Sequence, residues 1–217
     1  MTAGQVITNV VLIALVPLTV LLVYRHERAV ARRAMIAGAT AAALVVIGLL
    51  LVRQRPLISP DLMLVAVVVA EEAAKLLAVA TVLRAWNRAT PTPPGRATHR
   101  TNPAGPVGWS VGAGFASAEH LLYATAGPQV ILIRIAGAGL IHVVTARLYS
   151  AVLAPALPDR ASYSVRRKSS STSGPRLRRA NSTPRPLVVA TTTTAGILLH
   201  LGYNLLARHL DQIPELW

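Results

Sequence analysis

Long apolar stretches alternate with polar or Pro-rich connections along the whole chain. The candidate membrane spans cover residues 4–24, 34–52, 62–83, 107–126, 128–150 and 187–208. A helix of about 20 apolar residues crosses a hydrocarbon core of roughly 30 Å. In lipid only helices and closed barrels satisfy their backbone polar groups internally, and the ten-residue alternation of barrel strands is absent. The pattern predicts an all-α, polytopic membrane helix bundle of about six transmembrane helices, forming one domain over residues 1–217.

Arginine is concentrated in alternate connections. Residues 25–33, 84–106 and 151–186 are rich in basic side chains, whereas residues 53–61 and the turn around Gly127 are poor in them. The positive-inside rule then predicts that both termini lie outside the cytoplasm. Because basic residues follow the first span and none precedes it, we interpret this span as an anchor helix and not a removable signal peptide. The net charge of +14 is mostly a topology signal, so the lipid bilayer, and not nucleic acid, is the expected partner.

Two connections are long and have compositions that do not favour a packed structure. Residues 85–106 are rich in Pro and Thr, and residues 155–186 form a basic, Ser-rich tract. Both are predicted to be flexible cytoplasmic segments. We expect only weak attraction of the second segment to anionic lipid, about 1 kcal/mol per basic residue near the surface.

Small residues are frequent within the spans. Gly108 and Gly112 have the GxxxG spacing, which lets two helices approach closely where burial from water provides no driving force. The spacing predicts a packing contact.

Several ionisable and polar side chains interrupt the spans at depth. They are Glu71, Glu72, Lys75, Glu119, Arg134, His120, His142, His200 and Asn204. Each charge near the centre of a bilayer costs roughly 2.5–3.5 kcal/mol on an insertion scale. Such a cost is tolerable only if these side chains face the interior of the bundle and meet one another, so we expect them to converge.

Helical spacing predicts part of the pairing. Lys75 lies four residues after Glu71 and three after Glu72, so either carboxylate can contact it. Three carboxylates face only two bases, which leaves one carboxylate to a histidine and suits it to act as a general base. The alternatives are a purely structural ion pair, histidines that serve only as interhelical hydrogen-bonding groups, and an Arg134 that extends to the membrane interface. His120, about 100° around the helix from Glu119, is expected to be structural.

The order of these residues resembles that of a known family. The motifs are "EEAAK" (71–75), "GFASAEHLLY" (114–123), Arg134 eight residues before His142, and "HLGYN" (200–204). Over roughly residues 60–208 the chain resembles the PrsW family of intramembrane proteases, which is distantly related to the CAAX-processing and bacteriocin-processing membrane proteases. Two departures from the CAAX-type pattern, Lys75 in place of an arginine one position later and Glu119 in place of a histidine, are both similar to the PrsW branch.

The resemblance implies hydrolysis of a peptide bond in or near the membrane. The implied catalytic residues are Glu71, Glu72, Glu119, His142 and His200, supported by Lys75, Arg134 and Asn204. It also implies a single-span or membrane-anchored protein substrate, for example a signalling regulator such as an anti-sigma factor, and the plasma membrane of a bacterium.

The residues then suggest roles within such a site. Glu71 and Glu72 would be the base and its electrostatic support, in an order that the sequence leaves open. His142 would bind or polarise the attacking water, and His200 with Asn204 would donate to the oxyanion. The chain has no cysteine, and Ser110 and Ser117 lack a GxSxG context. A glutamate-activated water is therefore favoured, with no cofactor.

Two other mechanisms remain open. His142, His200 and Glu119 could hold Zn²⁺ with an open fourth position, although no helix offers an HExxH pair. A proton-coupled transporter or channel would also bury Glu and His as relay residues, but inverted repeats and broken helices in matching halves are not visible. A non-catalytic membrane scaffold is a third class.

Overall fold

The computed structural model describes residues 2–53, 59–89, 102–156 and 186–210. Within these ranges the chain is helical and contains no strand, which confirms the all-α prediction. The α-helices are α1 (Ala3–Val23), α2 (Arg28–Arg53), α3 (Pro60–Ala89), α4 (Ala104–His120), α5 (Pro128–Arg134), α6 (Leu140–Leu153) and α7 (Pro186–Leu210). A π-helical segment, Ile135–Gly139, joins α5 to α6 without a break.

Four helical segments in the described part of the chain are long and apolar enough to cross a membrane, which indicates a membrane protein. They are Ala3–Val23, Arg25–Val52, Pro128–Leu153 and Pro186–His209. The helix α3 has 30 residues but carries Glu71, Glu72 and Lys75 in its middle. The helix α4 has 17 residues. Charge and length therefore distinguish α3 and α4 from the other predicted spans.

Helix boundaries differ from the predictions mainly beside the third connection. Residues 85–89 were expected to be non-helical, but α3 continues to Ala89 because no proline occurs before the "TPTPP" stretch that begins at residue 90. The helix α4 begins at Ala104. The rest of this connection, and most of residues 155–186, lie outside the described residues.

The helix α4 lies at the centre of the bundle and packs against α1, α2, α3 and α6. Its glycines allow this crowding. A Cβ on Gly108 would lie 2.6 Å from the Cα of Arg147, and a Cβ on Gly112 would lie 2.6 Å from the carbonyl oxygen of His142. The GxxxG spacing therefore does mark a packing contact, here between α4 and α6.

Polar contacts join helix ends that an up-and-down path brings to the same side. The Asn9 side chain, near the start of α1, donates to the carbonyl oxygens of Ala124 and Ala126, just beyond α4. At the end of α7, Arg208 pairs with Asp61 at the start of α3. Asn9 is buried although it lies in an apolar span. The sequence did not predict this contact.

Candidate functional site

Seven ionisable side chains of the described helices converge into one buried cluster, as the sequence predicted. The cluster joins α3, α4, the α5–α6 segment and α7. Its members are Glu71, Glu72, Lys75, Glu119, Arg134, His142 and His200. All the catalytic residues implied by the resemblance are thus brought together.

Glu72 accepts three hydrogen bonds within the cluster. Its Oε1 accepts from Lys75 Nζ at 2.5 Å and from His200 Nδ1 at 2.8 Å. Its Oε2 accepts from the Tyr149 hydroxyl at 2.6 Å. The side chain is fully buried, so its hydrogen bonds are made within the protein and not with water.

Lys75 is also fully buried and donates to three acceptors. Besides Glu72, they are His142 Nδ1 at 2.9 Å and Thr145 Oγ1 at 3.1 Å. An ammonium group has three N–H donors and no acceptor. The contacts therefore satisfy Lys75 completely and hold α3 against α6.

The bond from Lys75 assigns the tautomer of His142. Because Nδ1 accepts from the ammonium, the ring proton belongs on Nε2, where it donates to Glu119 Oε2. Phe115 and His200 pack against the ring, each with its ring centroid 4.9 Å away. Neither nitrogen of His142 is left free.

Glu119 carries the hydrogen-bonded chain toward the edge of the bundle. Its Oε1 accepts from Arg134 Nη2 at 2.5 Å, so Arg134 pairs with a carboxylate and does not extend alone to the interface. The Arg134 guanidinium lies 3.6 Å from the centroid of the Tyr123 ring, a cation–π contact. Tyr123 is 37% exposed and Arg134 is half-buried, whereas His142 is fully buried.

The π-helical segment explains how Arg134 and His142 hold the same carboxylate. Eight residues of regular α-helix would leave the two side chains about 80° apart around the axis. The wider π turn advances by a smaller angle per residue and brings them onto one face. Gly139 permits this geometry, since its Cβ would lie 3.0 Å from Cε1 of the buried His120. The buried His120 ring therefore packs against this segment from α4.

Glu71 differs from its neighbour. Its Oε2 lies 3.3 Å from His200 Nε2, and its side chain is 10% exposed. Since His200 Nδ1–H donates to Glu72, its Nε2 and the Glu71 oxygen are two acceptors unless a proton lies between them. One shared proton also balances three carboxylates against two cations, as the charge count from the sequence requires.

Tyr149 and Thr145, which contact Glu72 and Lys75, were not predicted from the sequence. Both lie on α6, Thr145 three residues and Tyr149 seven residues after His142, on the helix face that His142 occupies. That spacing was the available signal. Neither side chain is charged, so the cost of burying a charge, which identified the other members, does not identify these two.

Asn204 does not join the cluster. It lies one turn after His200 and is half-buried, but its side chain makes no hydrogen bond with any other described residue. The expectation that it donates to an oxyanion together with His200 therefore has no support from the contacts, and both nitrogens of His200 already face carboxylates.

The residues fit a metal in type but not in arrangement. The donor atoms of Glu71, His142 and His200 lie within 4.8 Å of one another, and Glu119 is not part of this group. Zinc bonds of about 2.0–2.1 Å would bring tetrahedral ligands to roughly 3.3 Å apart. His142 would also have to release Lys75 or Glu119. We therefore assign no metal to the site.

Comparisons with protein-family models, with curated proteins and with solved structures give no match for this chain.

Proposed function

We propose that the protein is an intramembrane peptidase that hydrolyses a peptide bond of a membrane-anchored protein by means of a glutamate-activated water. The observation that carries the proposal is the contrast between two adjacent carboxylates. Glu72 is held by three donors, while Glu71 has a single ion-pair contact among the described residues, with the Nε2 of His200. A buried carboxylate with spare acceptor capacity beside an imidazole is what a general base for water needs.

Glu71 then takes the role of base, and Glu72 that of support. Once the proton shared by Glu71 and His200 has left, the ionised Glu71 Oε2 would accept a proton from an attacking water bound beside it and pass that proton to the leaving amine. Glu72 and Lys75 would hold His200 and His142 in place through the bonds described above. This order of the two glutamates is the one that the sequence left open.

Arg134 is the best available donor to the oxyanion of the tetrahedral intermediate. Its Nε is buried and has no partner among the described residues. Its guanidinium joins the cluster through the hydrogen bond to Glu119. A preorganised donor at this position typically contributes about 10²–10³-fold to the rate.

The family resemblance supports the same reaction and indicates the class of substrate. A PrsW-type enzyme in a bacterial plasma membrane would cleave a single-span or membrane-anchored protein, such as a signalling regulator. Nucleic acid has no part in this proposal, since the basic residues are explained by topology.

The proposed topology has six spans, with α3 and α4 crossing the membrane beside the four apolar segments and with both termini outside. Because the chain has no cysteine, single cysteines report on sidedness directly. In intact cells, a membrane-impermeant maleimide should label Thr125→Cys, in the exposed turn after α4, and should leave Ala29→Cys, exposed at the start of α2, unlabelled. The reverse pattern would invert the topology.

Replacement of the proposed base tests the reaction. Wild-type protein in liposomes should cleave a co-reconstituted single-span substrate, and Glu71→Gln should lower the rate by at least about a hundredfold, within the range for general bases. The matched control is Glu27→Gln, in the short helical turn between α1 and α2 and outside the cluster. This variant should cleave the substrate at the wild-type rate. Full cleavage by Glu71→Gln would remove the protease assignment of this site.

A proton-coupled transporter is the second candidate. It is favoured by the unbroken chain of contacts from Arg134 through Glu119, His142, Lys75, Glu72 and His200 to Glu71. Such chains of acid and imidazole are used as proton relays. Liposomes that carry the protein and a pH-sensitive dye would show a proton flux in this case, with no cleavage of substrate.

A further inference from the structure

Tyr149 occupies a place in the cluster that none of the sequence motifs includes. It is 1% exposed, and its hydroxyl donates to Glu72 Oε2 at 2.6 Å. Phenol hydroxyls in apolar surroundings usually find a partner. Here that partner is the one carboxylate on which Lys75 and His200 both depend.

The bond from Tyr149 fixes the orientation of Glu72. With Oε2 held by the phenol, Oε1 is turned toward Lys75 Nζ and His200 Nδ1, at 2.5 and 2.8 Å. His200 must therefore carry its proton on Nδ1 and present Nε2 to Glu71. If the Glu72 carboxylate rotated away, His200 Nδ1 would lose its acceptor, and the proton could then reside on either nitrogen of the ring.

The backbone of α7 is shaped around this bond. Gly196 lies against Tyr149 and Glu72, and a Cβ there would overlap the phenol oxygen and lie 3.3 Å from Glu72 Oε2. Gly202, on the same helix, has nothing within 4 Å of the corresponding position. Only the first glycine is required by a close approach, and that approach is to the Tyr149–Glu72 bond.

We propose that Tyr149 is a positioning residue, which acts through Glu72 to fix the tautomer and orientation of His200 toward Glu71. This inference rests on the proposed function for its catalytic consequence, but not for its structural one. Tyr149 touches neither water nor substrate in this account. Its effect should fall on kcat, with KM unchanged, because substrate binding does not involve it.

The test uses Tyr149→Phe, which keeps the ring and removes only the hydroxyl. The loss of one hydrogen bond to a charged group corresponds to about a tenfold fall in kcat. In protein labelled with ¹⁵N-histidine, wild-type His200 should show one protonated Nδ1, and Tyr149→Phe should shift or broaden its two nitrogen signals. Tyr24→Phe, outside the cluster, is the matched control and should change neither measurement.

Gly196→Ala is the second variant, and it remains informative if Tyr149→Phe does not fold. Its methyl group should push the phenol away and reproduce the effect on kcat and on His200, whereas Gly202→Ala should leave both at wild-type values. Unchanged kcat and unchanged His200 nitrogen signals in Tyr149→Phe, or in Gly196→Ala if the first variant is unfolded, would overturn the proposal. If wild-type protein cleaves no substrate, the proposed function fails, and the His200 spectra alone then decide the role of Tyr149.

Discussion

The buried cluster has a closed end and an open end, and the two begin at adjacent residues of α3. At the closed end, Lys75 donates to Glu72, His142 and Thr145, which uses all three donors of its ammonium group. Glu72 also accepts from Tyr149 and His200. At the open end, Glu71 has one ion-pair contact in the described part of the chain, with His200. Adjacent carboxylates on one helix can therefore have different partners, because a rotation of about 100° places them among different neighbours.

The difference between the two ends also bears on two interpretations of this motif. A structural ion pair and a catalytic carboxylate were alternatives for the same "EEAAK" motif. The contacts place Glu72 in a closed pair with Lys75 and give Glu71 fewer partners, which is why we propose Glu71 as the base. The following changes test that separation in order of expected effect.

The largest effect should come from Glu72→Gln. The amide nitrogen would face a donor at either oxygen position, and Lys75 would lose its charged partner while fully buried. Breaking a buried pair in this way costs about 3–5 kcal/mol. Unfolding in detergent, followed by heat or by titration with dodecyl sulfate, measures the loss.

The paired variant Glu71→Gln should lower the unfolding free energy by less than about 1 kcal/mol, because its single contact is long and the amide can keep it. Equal losses in the two variants would show that the closed and open ends do not differ.

A smaller effect is expected for Thr145→Val, which removes one of the three acceptors of Lys75 without changing the shape of the side chain. An unsatisfied buried donor costs about 1–3 kcal/mol. The control is Thr193→Val in α7, whose hydroxyl bonds to its own helix at Val189 and to no other described residue. The same unfolding assay compares the two variants. If both variants are equally stable, Lys75 does not need its third acceptor.

The smallest effect should come from treatment with a metal chelator. Protein treated with a chelator should keep its peptidase activity, because both His142 nitrogens are held by Lys75 and Glu119. Zinc added afterwards should not raise the rate of substrate cleavage. A loss restored by one equivalent of zinc would instead make Glu71, His142 and His200 its ligands.

The sequence by itself determined the helical class, the places of the apolar segments and the convergence of the charged side chains. These follow from local composition and from the cost of charge in lipid, which depend little on the path of the chain. The pairing of Gly108 and Gly112 with a neighbouring helix was likewise predictable from spacing.

Only the tertiary structure decided which partners meet. Lys75 could reach Glu71 or Glu72 by helical spacing, and the position of α6 with Tyr149 and Thr145 gives it to Glu72. The π turn that aligns Arg134 with His142 has no sequence signature beyond small residues, because it is stabilised by contacts from His120 and Glu119 on another helix. Spacing within one helix limits the possible pairs, but the choice among them depends on distances between helices that are far apart in sequence.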